Sequence, residues 1–145
     1  MNRDVQRTYR LFDHTADLGM EIYGEDARTL FVNAAVALFD VIVSPVDQGD
    51  SCAESEDIEV TGEDWPDLMV NWLREMLYLW VGRQRLLVEL KIDIIKETRI
   101  RARLFTCEFN PDRYIVEKEI KAVTYHQVET GPRGNHWWAR VILDT

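Results

Sequence analysis

The stretch Asp64-Trp65-Pro66-Asp67-Leu68-Met69-Val70-Asn71-Trp72-Leu73-Arg74-Glu75-Met76-Leu77-Tyr78-Leu79-Trp80-Val81-Gly82 decides the fold class. Trp65, Leu68, Met69, Trp72, Leu73, Met76, Leu77 and Trp80 recur at three- and four-residue steps, so they form one stripe of an α-helix with a broad apolar face to bury. Asp64 suits the N-cap, because its carboxylate accepts from amides that the first turn leaves free. Pro66 is tolerated in that turn, and Gly82 closes the helix.

Upstream, Ala27, Leu30, Phe31, Ala34, Ala35, Leu38 and Val41 or Ile42 keep the same period and predict a first helix, capped by Glu25 or Asp26 and ended by Ser44-Pro45. Two short strands precede it, Thr8 to Phe12 and Leu18 to Tyr23, with the polar turn Asp13-His14-Thr15-Ala16-Asp17 between them. Val46 to Glu56 is acidic and reads as a loop; Ile58 and Val60 alternate with Glu59 and Thr61 as a half-buried strand would. After Gly82 the period falls to two. Val88, Leu90, Ile92 and Ile94 share one face, Ile100, Ala102 and Leu104 alternate with Arg99, Arg101 and Arg103, and Lys96-Glu97-Thr98 makes a hairpin turn. Asn110-Pro111-Asp112 is a turn, and Ile120 to Glu129 and Trp137 to Asp144 are strands joined by a loop of chain breakers from Thr130 to Asn135. The expected fold is α+β: a single domain over residues 1–145, with two main helices packed on antiparallel β-sheet.

With 46% hydrophobic and 30% charged residues the chain is globular in composition, and 145 residues suffice for a core. Two cysteines, Cys52 and Cys107, make neither a disulfide framework nor a zinc site, which fits a reducing cytoplasm. No apolar run is long enough for a membrane span, and Arg3, Asp4, Arg7 and Arg10 stand where a signal peptide needs an apolar centre. The formal charge of −9 repels phosphate backbones, so a metal ion or a basic protein surface suits the chain better than free nucleic acid.

Asp13, His14 and Asp17 fall within five residues of a turn and can point at one object, although turn chemistry alone accounts for Asp and Thr there. If they do bind, carboxylate oxygens select a hard cation. Asp144 precedes the last residue, so its carboxylate adjoins the main-chain carboxylate of Thr145; two negative groups anchored to a strand repel unless a cation lies between them. Lys121 reads from the residues alone as an ordinary solvent-facing lysine, and His126 and His136 have no companions at metal spacing. Trp137 and Trp138 must face opposite ways, one of them toward solvent or a partner. The arginine row reads as a solvated face. No phosphate loop, nucleophile signature or zinc motif is present, so the expectation is that the chain is not an enzyme.

Four segments together resemble the archease family: Phe12-Asp13-His14-Thr15-Ala16-Asp17-Leu18-Gly19, Asn33-Ala34-Ala35-Val36-Ala37-Leu38-Phe39-Asp40, Lys121-Ala122-Val123-Thr124-Tyr125-His126 and Leu143-Asp144. The resemblance runs from about Tyr9 to the end. It implies an activator of the RtcB-type RNA ligase of tRNA splicing or RNA repair, which promotes ligase guanylylation and multiple turnover and meets RNA only through the ligase. It implies that Asp17, Asp144 and the carboxylate of Thr145 bind a divalent cation (Ca²⁺ or Mg²⁺, with Mn²⁺ an alternative), that Lys121 serves activation, and that Asp13 and His14 take supporting roles. The family usually ends in a branched aliphatic residue, where this chain has Thr145. Two other readings stay open beside it: a chaperone-like adaptor for RNA-processing proteins and a stand-alone metal-dependent phosphohydrolase.

Overall fold

The computed structural model describes residues 8–14, 16–46 and 53–145. The charged N-terminal lead, Thr15 and Cys52 lie outside the described residues. Strands β1 (Tyr9–His14) and β2 (Asp17–Gly24) lead into helix α1 (Ala27–Ile42), the short β3 (Val43–Pro45) and β4 (Glu54–Thr61). Helix α2 (Trp65–Val81) follows, then β5 (Arg85–Lys96), β6 (Arg99–Glu108), β7 (Tyr114–Val116), β8 (Ala122–Arg133) and β9 (His136–Asp144).

Both helices start where local chemistry places them. Asp26 accepts from the Thr29 amide at 2.8 Å and Asp64 from the Asp67 amide at 2.9 Å, each satisfying a donor of the first turn. Three antiparallel sheets surround the helices: β1-β2-β9-β8, β4-β6-β5, and the pair β3-β7. Trp72 is wholly buried and its indole N–H donates to the Phe31 carbonyl at 2.8 Å, fixing α2 against α1. Trp65 sits edge-on to Trp137 with ring centres 4.9 Å apart, which ties α2 to the four-stranded sheet. The α+β expectation is therefore met, with the antiparallel strands divided among three sheets. Among the described residues no helix is long and apolar enough to cross a membrane.

The structure departs from the sequence expectation at several places. Ser44-Pro45 not only ends α1 but pairs in β3, and β4 begins at Glu54 inside the segment expected as loop, of which residues 47–52 lie outside the described residues. The polar segment at Asp13–Asp17 is mostly strand, because β1 continues to His14 and β2 begins at Asp17. Thr130 to Arg133, expected as loop, pair with Ala139 to His136; β8 is an edge strand, where proline is tolerated because its missing N–H is not needed by a neighbour. Val88 is 48% exposed rather than inward-facing, since a bulge between Leu87 and Glu89 takes it out of register. A second bulge between Ile92 and Ile94 packs Ile95 instead of Ile94 on the core. Strand β7 was not anticipated. The arginine row on β6 is matched by acids on β4, with Arg99–Glu59 and Arg103–Asp57 both at 2.8 Å.

Candidate functional site

In the four-stranded sheet the start of β2 and the end of β9 lie at the same end of neighbouring inner strands. Leu18 of β2 stands opposite Leu143 of β9 as the last pair of their register, and Asp17 and Asp144 are the next residues beyond it on the two neighbouring strands. Leu18 and Leu143 face the core, so strand alternation turns Asp17 and Asp144 to the face away from the helices. His14 pairs with Asp17 across β1 and β2 and shares that face, whereas Asp13 pairs with Leu18 and takes the other. The tail is held from both sides: the Lys121 amide donates to the Asp144 carbonyl at 2.7 Å, and the Thr145 hydroxyl donates to the Ala16 carbonyl at 3.4 Å. Ala16 has φ of 69°, a left-handed conformation that costs a Cβ-bearing residue about 1 kcal/mol and that gives this tight connection its shape.

Lys121 reaches the same end of the sheet but not the same face. It is two residues before buried Val123 and follows that residue's direction, lining a groove with Arg74, Tyr78 and Val81 of α2. The carboxylates and the lysine therefore flank the strand end instead of converging.

Two features of this region had no clear signal in the sequence. His126 has no metal-spaced companion along the chain, yet its ring meets that of His14 edge-on at 5.2 Å, because β8 loses register between Thr124 and Glu129 and Gln127 adopts φ of 52°. The Nδ1 atom of His14 is buried with no hydrogen-bond partner. Tyr125, in the same irregular stretch, donates its hydroxyl to Asp67 at 2.7 Å and lies under the Arg74 guanidinium. That hydrogen bond, helped by the Glu63 amide, holds the Asp67 carboxyl below its ordinary range.

Among the described residues no group of three or more His, Cys, Asp or Glu side chains is arranged to hold a metal. The sheet end offers two side-chain carboxylates and the main-chain carboxylate of Thr145. Such an all-oxygen, anionic set suits a hard divalent cation; Mg²⁺ in particular keeps several waters and takes only one or two protein carboxylates. The unpartnered His14 nitrogen beside Asp17 leaves a further polar atom unsatisfied at this place. The donor chemistry therefore fits a hard ion.

A larger cavity of about 580 Å³ lies toward the other end of the same face, beside Trp138. Arg133 lies 4.3 Å and Arg140 5.7 Å from the Trp138 ring centre. Arg140 is ion-paired with Glu129, and Glu21 is held by Arg10 at 2.7 Å, so these charges are satisfied internally. Trp137 turns inward to Trp65, as adjacent strand residues require.

The model of the Archease protein family matches residues 9–145. Proteins named archease from Methanosarcina barkeri and Pyrococcus furiosus are each 34% identical over 143 residues, covering 95% of this chain and 96% and 99% of those proteins. The solution structure of Methanobacterium thermoautotrophicum protein 1598 is similar at TM-score 0.75 and 30% identity, over 94% of this chain and 98% of that one. A crystal structure from Thermotoga maritima, described as an archease, possible chaperone, shares the fold at TM-score 0.65 and 20% identity, over 92% of this chain and 94% of that one.

Proposed function

This chain belongs to the archease family, and from that premise we propose that it activates an RNA ligase of the RtcB type, in tRNA splicing or RNA repair, through a divalent-cation site formed by Asp17, Asp144 and the Thr145 carboxylate. The observation that supports the proposal is the β2–β9 register, whose last pair, Leu18–Leu143, leaves Asp17 and Asp144 as the next residues at the same end of two neighbouring strands. A hard cation bound there would neutralise those groups and offer a phosphate oxygen a ligand position. The chain's own residues do the positioning. β2 and β9 hold the two aspartates on neighbouring strands, and the Lys121 amide and the Ala16 carbonyl fix the tail that bears the terminal carboxylate. The Lys121 side chain is exposed and acts as a point charge toward the partner.

Guanylylation of the purified ligase, measured with the wild-type chain and with Asp17→Ala, Asp144→Ala and Lys121→Ala, tests this. Stimulation should fall in each variant; full stimulation by all three would overturn it. The words "possible chaperone" used of the Thermotoga protein favour a second reading, an adaptor that binds partner proteins without a metal. On that reading Asp17→Ala leaves the stimulation intact.

A further inference from the structure

Helix α2 buries most of its apolar residues, but Tyr78 and Val81 are 61% and 62% exposed. With Leu77 and with Val123 of β8 they line a groove of about 480 Å³, and the cations Arg74 and Lys121 line it as well. Arg74, Tyr78 and Val81 are spaced four and three residues apart, so they form one continuous stripe on the helix beside β8. The Tyr78 ring is laid over Gly82, where a Cβ would come within 2.4 Å of it; the aromatic is thus settled against the helix end instead of swinging freely in solvent. A second cavity of about 390 Å³ shares Val81 and Lys121 and continues toward Trp80, Ile120 and the carboxylate of Glu119, which bounds the cationic part of the surface.

The charges that line this groove are of one sign: Arg74 and Lys121 are cations, and no carboxylate is among its lining residues. Arg10, Arg83, Arg85, Arg99, Arg103 and Arg140 each pair with a carboxylate of the chain. Among the described residues neither Arg74 nor Lys121 forms an ion pair, in a protein of net charge −9. Arg74 is nonetheless fixed in place. Its Nε donates to the Val123 carbonyl at 3.1 Å and its guanidinium lies 4.7 Å from the Tyr125 ring centre. Two unpaired cations around an exposed aromatic and aliphatic surface complement a segment that presents an apolar side chain between carboxylates.

We infer that the groove between α2 and β8 docks such an acidic and apolar segment of the partner protein, with Tyr78 and Val81 as anchors and Arg74 and Lys121 as its charge complements. This rests on the activator reading and adds to it a division of labour: the outer face carries the carboxylates, and the α2 face grips the partner. Lys121 then acts by docking. Its amide contact with Asp144 couples the two faces at the end of the sheet.

The test titrates the full chain into purified ligase and reads guanylylation as a half-saturating concentration and a plateau. Val81→Asp and Tyr78→Ala, at positions exposed enough to spare the fold, should raise the half-saturating concentration about tenfold or more with the plateau retained. Lys121→Glu should do the same, and Lys121→Arg should stay near wild type. Val36→Asp, at an exposed apolar position on α1, should change nothing. Half-saturation within about twofold of wild type for both Val81→Asp and Tyr78→Ala, or a lowered plateau at unchanged half-saturation, would overturn the docking site while leaving the activator reading standing. Equal weakening by Val36→Asp would also overturn the assignment to this groove. Absence of stimulation by the wild-type chain would instead overturn the activator reading, and docking to the ligase with it.

Discussion

Replacing Asp144 by Asn should stabilise the protein without metal and abolish its response to metal. Asp17 and Asp144 come next after the Leu18–Leu143 pair on neighbouring antiparallel strands; if the register continues one step, their Cβ atoms face each other about 5 Å apart. Two carboxylates at that spacing repel by roughly 1 kcal/mol in the high dielectric of an exposed strand end. For a chain of 145 residues that is about 3–4 °C in Tm. Asp144→Asn removes this repulsion, and part of the repulsion from the adjoining terminal carboxylate, so in chelator it should melt about 3–4 °C above wild type. Adding the cation at 100 times its dissociation constant stabilises a binding-competent fold by about 2.7 kcal/mol, so wild type should then rise by about 8–10 °C and overtake the variant. The assay is thermal unfolding followed by circular dichroism, with chelator and then with Mg²⁺ or Ca²⁺; a chelator arm in high salt should shrink the first difference. A variant that melts below wild type in chelator, or that gains as much from metal, would refute the reasoning.

Trp72→Phe removes the hydrogen bond to the Phe31 carbonyl, which keeps its helical bond within α1, and leaves part of the indole volume empty; denaturant titration should show a loss of about 2–3 kcal/mol. Tyr125→Phe releases Asp67, whose carboxyl the phenol holds below 3.8. A depressed carboxylate contributes stability above its unfolded value and loses it as pH falls through the folded one, so urea midpoints of wild type and variant should differ near neutrality and converge as acid titrates Asp67 in the folded state. Gly19→Ala puts a methyl 2.2 Å from the Phe12 ring and should cost about 1–3 kcal/mol in the same titration as that ring is displaced from the sheet.

How much of this was legible in the sequence follows the range of the interactions. Both helices and the cap Asp64 could be read directly, and the first cap to within Glu25 or Asp26, because periodicity and N-cap chemistry are local. The β5–β6 hairpin could be read from its alternation, but the bulge at Val88 could not, because nothing in the chain marks an extra residue. Strand β7, with three residues, is too short for a period, and Gly131-Pro132 looked like a loop because edge-strand placement is a property of the whole sheet. The carboxylate site was half legible. Asp17 and Asp144 are conspicuous as residues, yet their adjacency depends on β2 pairing with β9, more than a hundred positions away. The meeting of His14 with His126 depends on a break in β8, and the placing of Lys121 on the α2 face on strand parity; family resemblance names such residues without saying which way they point.

The most direct test of the central claim is a titration of the metal-free full chain with Mn²⁺, read as free ion by electron paramagnetic resonance and repeated with Asp17→Asn and Asp144→Asn. One ion should bind per wild-type chain, displaced by Ca²⁺ or Mg²⁺, and either substitution should weaken it about tenfold or more. Unchanged Mn²⁺ affinity in both variants would contradict a site shared between the two ends of the chain.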